Sequence, residues 1–153
     1  MKHIIIDGNN LIGKINSLHR LQNKDKQQSR IKLAFLIDNY FQGKNIKVTI
    51  HFDGYEQQPI KLNNCKIIYS QNRIADDRIK QQIETSSNAK NIIVVTSDNN
   101  LREYARVCSC SLQKSEEFAN ELKENNIDDE AERVNKMSND IEEFKKIFGV
   151  SKN

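Results

Sequence analysis

A chain of 153 residues is long enough for one domain with a real core and short for two. With 37% hydrophobic residues, a mean hydropathy of −0.74, one proline, five glycines and no tryptophan, it is no proline-rich linker, collagen-like segment or aromatic-rich lectin. No apolar run approaches the roughly 20 residues needed to span a bilayer, and the start MKHIIIDGNN turns polar too soon for a signal peptide, so a soluble, cytoplasmic protein without a membrane partner is expected.

The net charge of +3 is unevenly spread. Residues 113–153 hold 7 Lys/Arg against 11 Asp/Glu, whereas residues 1–112 hold 17 against 10. A basic body favours an anionic partner. Cys65, Cys108 and Cys110 are odd in number and complete no zinc pattern, so they read as free thiols of a reducing compartment.

In chain order, residues 3–6 (HIII) read as a short buried strand. Residues 13–30 are polar and basic with little periodicity, a loop or short helix. Residues 29–42 carry a helical apolar stripe that Gly43 ends. IKVTIHF (46–52) and CKIIYS (65–70) are β-branched strands, RIADDRIKQQIE (73–84) is helical, and NIIVVTS (91–97) is a buried run of the kind parallel sheets use. A helix over 99–107, a short strand over 108–112 and a helix over 114–125 follow. Val134, Met137, Ile141, Phe144 and Phe148 recur at helical spacing within 129–148, which suggests an amphipathic C-terminal helix docked on the body. The domain boundaries expected are therefore 1–125 and 126–153. Strands alternating with helices imply an α/β fold with a mostly parallel sheet covered on both faces.

Ligands of such sheets gather beyond the carboxyl ends of the strands. Three strands here end near an aspartate: Asp7 in HIIIDGNN, Asp53 in TIHFDG and Asp98 in VVTSDNN. Asp76 and Asp77 open the helix that follows the third strand. Each alone is an ordinary turn former or helix cap. In register on parallel strands, they would form a carboxylate cluster. These five are half of the ten acidic residues of 1–112, so the rest of the body is markedly basic. Clustered carboxylates need a cation between them, and an all-oxygen set suits Mg²⁺ or Mn²⁺. An acidic pocket on a basic surface fits a metal-dependent nuclease. Asn10 and Ser97 are candidate supporting groups, Asn10 by reaching Asp7 and Ser97 by orienting Asp98 or a bound water.

IIIDGNNLIG, IHFDG, ADDRI and VVTSDNNLREYA, followed by CSCSLQKSEEFANEL, resemble the YacP-like group of NYN domains within the PIN-like nuclease superfamily, over about residues 3 to 122. The resemblance implies a PIN-like, Rossmannoid three-layer fold with a five-stranded parallel sheet of order 3-2-1-4-5. It also implies metal-dependent endonucleolytic hydrolysis of RNA, in processing or decay of free or ribosome-bound messenger. Asp7, Asp76 and Asp98 correspond to the family's acidic metal ligands and catalytic residues. Asp53 falls where flap-endonuclease relatives keep a further aspartate, and Asp77 matches the second member of a paired-aspartate motif. Flap endonucleases are acidic where this chain has Ile74 and Asn100, so one tightly held ion is expected rather than two.

Lys14, His19, Arg20, Lys24, Lys26 and Arg30, with Arg73 and Arg78 beside the paired aspartates, are candidates to grip an RNA backbone. Tyr55 and His19 are candidate stacking platforms. The rival reading is an RNA-binding module of the same fold with weak or lost catalysis. A haloacid-dehalogenase-type phosphatase would need an aspartate at Asn9, and neither a P-loop, a dinucleotide fingerprint nor a nucleophile elbow occurs.

Overall fold

The computed structural model describes residues 1–126. Met1–Leu122 form one compact unit. The helix expected over 129–148 lies outside the described residues.

Strands β1 (His3–Asp7), β2 (Lys47–Phe52), β3 (Lys66–Tyr69), β4 (Ile92–Val95) and β5 (Ser111–Gln113) form one parallel sheet in the order β3-β2-β1-β4-β5. Between them run α1 (Gly8–Ile12), α2 (Asn16–Lys24), α3 (Lys26–Tyr40), α4 (Ala75–Glu84) and α5 (Asn99–Val107), and a further helix, α6, is described over residues 115–126. This is the three-layer α/β fold that the resemblance implies. Among the described residues no helix is long and apolar enough to cross a membrane.

Alternation along central β1 divides the core. Ile4 and Ile6 face one layer with Leu11, Ile12, Leu18, Leu33, Ile37, Phe118 and Leu122. Ile5 faces the other with Ile79, Ile83, Leu101 and Ala105 of α4 and α5. Burial on both faces accounts for the unbroken isoleucine run of β1, and each fully buried isoleucine contributes about 1.5–3 kcal/mol.

Two sequence expectations change. The 13–30 stretch, read as a loop or short helix, holds the short helix α2 and the start of α3. Its hydrophobic signal is thin because α2 buries only Leu18 and α3 buries polar groups beside apolar ones: Ser29, Arg30, Leu33, Ala34, Ile37 and Asp38. Asp25 caps α3 by accepting the Gln28 amide at 3.1 Å, which starts that helix at Lys26 rather than at 29. The last strand begins at Ser111, not at 108. Ser109 stands at φ +70°, and the Cys110 amide donates back to the Ala105 carbonyl at 2.9 Å, so 108–110 close α5 instead of extending the strand.

Candidate active site

Because all five strands are parallel, their carboxyl ends share one rim. β1 ends at Asp7, which lies in register with His51 of β2. Asp53 follows β2 directly, Thr96, Ser97 and Asp98 follow β4, and Asp76 and Asp77 stand in the first turn of α4.

Asp7 is largely buried, and burial lifts its pKa to about 6. The Thr96 hydroxyl, donating to Oδ2 at 3.0 Å, and the facing Asn10 amide hold the rise back, while the carboxylates of Asp53 and Asp76 add to it. Two of the other four aspartates thus stand close enough to act on Asp7. Asp76 Oδ2 lies 3.2 Å from Lys80 Nζ, and its Oδ1 is buried without a hydrogen-bond partner. Asp53 Oδ1 accepts the Ala75 amide at 2.7 Å.

The other two aspartates sit differently. Asp98 is exposed and caps α5 by accepting the Leu101 amide at 3.0 Å. Asp77 stands 3.8 Å from Arg73 on a half-exposed turn. Among the described residues no three His, Cys, Asp or Glu side chains are grouped as a ready-made ion cage.

Both supporting residues act otherwise than their sequence positions suggest. Asn10 meets Asp7 through its backbone, while its side-chain Oδ1 accepts the Ser97 amide at 3.0 Å and the Ser115 hydroxyl at 2.7 Å. Ser97 Oγ turns from Asp98 and accepts the Ser115 amide at 2.9 Å. Its hydroxyl also serves Glu116, holding that carboxyl below its ordinary range, with help from Lys14 and Lys114. Asn10 and Ser97 are thus staples between the ends of β1 and β4 and the start of α6.

Sequence reasoning missed Thr96, Asn9, Ser115 and Glu116. Asn9 Oδ1 accepts the Asp53 amide at 2.7 Å and ties β1 to β2 as Asn10 ties it to β4. The paired amides of DGNN, and hydroxyls next to strand ends in TSD and KSEE, were the available signals.

Among the basic candidates, Arg30 is corrected. It is 3% exposed, donates to the carbonyls of Asp53 and Tyr55, and lies over the rings of Phe52 and Tyr69 at 5.6 and 5.8 Å. It cannot reach a solvent-side phosphate. Lys14 pairs with Glu116 at 3.4 Å and Arg73 with Asp77. Arg78, partly buried, donates to the Ser70 carbonyl and to Gln81. His19, Arg20, Lys24 and Lys26 are exposed on α2 and the start of α3. There Arg20, Lys24 and Lys32 surround a recess of about 380 Å³ floored by Leu18 and Leu21. Tyr55 is 61% exposed.

The profile of the YacP-like NYN domain matches residues 4–148, nearly the whole chain. The chain belongs to the YacP-like NYN family. That family is one of RNase-type nucleases within the PIN-like superfamily. Two crystal structures of Rae1 (YacP) from Bacillus subtilis share this NYN fold. One aligns with a TM-score of 0.72 at 22% identity, covering 97% of this chain and 88% of that one. The other, the W164L mutant, aligns with a TM-score of 0.69 at 21% identity, covering 88% and 83%. No curated protein matches the chain significantly.

Proposed function

We propose that this NYN domain is a metal-dependent endoribonuclease that hydrolyses RNA phosphodiester bonds with Mg²⁺ or Mn²⁺, in messenger processing or decay. The observation that carries the reading is Asp7: a largely buried carboxylate at the tip of the central strand, with a pKa of about 6, whose neighbours Asp53 and Asp76 raise its proton affinity further. Perturbed carboxylates gathered at a sheet rim mark functional sites more often than structural ones.

The donor set fits a hard cation. All of its groups are oxygens, and the orphaned Asp76 Oδ1 is an acceptor that an ion would satisfy. Magnesium keeps several waters and takes only one or two carboxylates, so a cage of three is not required. Asp7 and Asp76 would hold it, with Asp98 and Asp77 as the remaining candidates. When bound, the ion supplies activation of water and neutralisation of the phosphate charge.

The chain's own residues account for the rest. Thr96 fixes the Asp7 carboxylate at the rim, and a neighbouring carboxylate that does not hold the ion would take the proton that an attacking water releases. The water oxygen then bonds to phosphorus as the bond to the leaving sugar oxygen breaks. Arg20, Lys24, Lys26 and Lys32 hold the flanking phosphates. A labelled single-stranded RNA should be cleaved in Mn²⁺, and EDTA or Asp7→Asn should abolish cleavage while the circular dichroism stays native. Full activity in Asp7→Asn would overturn the reading. Ile74 and Asn100, where related nucleases are acidic, favour a second reading as an RNA-binding module. RNA retention in EDTA without cleavage in Mn²⁺ would establish that one instead.

A further inference from the structure

We propose that Asp53 is a positioning residue that fixes α4, and with it Asp76, and that Arg30 and Asn9 are the clasp holding Asp53 in place. The proposal rests on the reading of Asp76 as a site residue, and it moves Asp53 out of the ligand role that its place after β2 suggests.

Asp53 is gripped at three points by three different elements. Its amide donates to Asn9 Oδ1 of α1 at 2.7 Å, its carbonyl accepts from the Arg30 guanidinium of α3, and its carboxylate Oδ1 accepts the Ala75 amide of α4 at 2.7 Å. The next residue is tied as well. The Gly54 amide donates to Ser70 Oγ at 3.0 Å, and the Gln71 amide to the Gly54 carbonyl at 2.7 Å, with Gly54 at φ +82°. That left-handed conformation suits glycine.

What this grip achieves is visible at the start of α4. A helix leaves its first amides unsatisfied, and a side-chain oxygen at the N-cap normally accepts one. Here the N-cap is Ile74, which has no such oxygen and makes no cap. Asp53 supplies it from 22 residues away, and a carboxylate is the favoured partner at a helix N-terminus. Asp76 is the residue after Ala75, so the angle at which α4 leaves the loop decides where that carboxylate stands. Arg30 suits the clasp because its planar fork spans two carbonyls, those of Asp53 and Tyr55, while Phe52 and Tyr69 cover its face. The same segment thus explains why a guanidinium is buried in α3 and why α4 tolerates an isoleucine at its cap.

The test compares Asp53→Asn with Asp53→Ala. Asparagine keeps an oxygen that accepts from Ala75 but is a far poorer ligand for a hard cation; alanine keeps neither property. In Asp53→Ala the Ala75 amide should exchange with solvent about tenfold faster, the ratio matching about 1.4 kcal/mol and a lost helix cap. Its kcat should fall by about 10- to 100-fold, as a misplaced group allows, with KM little changed. Asp53→Asn should keep Ala75 exchange close to that of the unmodified protein and lose far less of kcat than Asp53→Ala. Arg30→Met should speed Ala75 exchange with the Asp53 carboxylate untouched, and Asn9→Ala carries that arm if Arg30→Met does not fold. Asp53→Asn as inactive as Asp53→Ala, or Ala75 exchange unchanged in Asp53→Ala, would overturn the proposal. The exchange measurements need no catalysis, so a protein that cleaves no RNA would refute the nuclease reading and leave the clasp to be decided on its own.

Discussion

Burying the Asp7 carboxylate lifts its pKa from 3.8 to about 6, and that shift is also a statement about stability. Below the unfolded value both states are protonated and nothing is lost. As pH rises through the window between the two values, the folded state keeps a proton that the unfolded state releases, so stability falls. Above the folded value the full cost applies, at most about 3 kcal/mol for a shift of this size. Asp7→Asn removes the buried charge. In chelator at pH 8 that variant should be about 1–3 kcal/mol more stable than the unmodified protein, and the gap should close toward pH 4. Urea unfolding across that range measures it. A variant less stable at pH 8 would mean that the bond from Thr96 outweighs the burial. The neighbouring glycine carries a second residue-scale expectation. A Cβ on Gly8 would lie 2.6 Å from the His51 carbonyl oxygen and 2.6 Å from the Phe52 ring, at the point where α1 leaves β1 against β2. Gly8→Ala should therefore lower the urea midpoint, by the equivalent of about 1–3 kcal/mol.

At the scale of elements, α4 is bound to the sheet by a polar chain as well as by Ile79 and Ile83. His51 Nε2 meets Gln82 Oε1 at 2.7 Å, Gln82 donates to Thr49 Oγ1 at 3.3 Å, and Thr49 meets His3 Nε2 at 2.8 Å. Burial, with the charge of Lys47 and the His51 ring, lowers the His3 pKa to about 4, and burial lowers His51 too. For His3 the unfolded chain binds a proton below 6.5 that the folded chain refuses until about 4, so stability is lost as pH falls through that window. His3→Gln in the Asp7→Asn background, where the opposing slope is absent, should flatten the stability profile between pH 6.5 and 4; an unchanged slope would clear His3 of the effect. This chain was not legible in the sequence, although the strands that carry it were. β1, β2 and β4 announced themselves as β-branched runs, and the aspartates at their tips followed from the sheet being parallel. The two charges buried in α3 could not be read, because their partners come much later. Arg30 is held through its terminal nitrogens by carbonyls 23 and 25 residues on, and Asp38 by the amides of Asn63 and Asn64, 25 and 26 residues on, in an irregular stretch without periodicity. A basic residue in a polar segment looks like a phosphate ligand until the loop that covers it is known.

Across the whole molecule, the surplus of 17 basic over 10 acidic residues in 1–112 is not equally available to an RNA. Arg30 is buried, Lys14 and Arg73 are paired with Glu116 and Asp77, and Lys80 stands at Asp76. Around the α2 recess, by contrast, Arg20, Lys24 and Lys32 line one surface together. Contacts to phosphate release counterions, and the logarithm of affinity for a single strand falls with the logarithm of salt by about 0.7 per contact. If two of these residues make such contacts, Arg20→Ala with Lys24→Ala should weaken binding of any single-stranded RNA to a similar degree and reduce the salt slope by about 1.4. Arg73→Ala, which removes a cation already neutralised by Asp77, should change the slope far less. Fluorescence anisotropy of short labelled RNAs in EDTA, titrated at several salt concentrations, separates binding from cleavage. An unaltered slope in the double variant would remove the α2 surface from the path of the RNA and leave the rim itself as the place where the backbone is held.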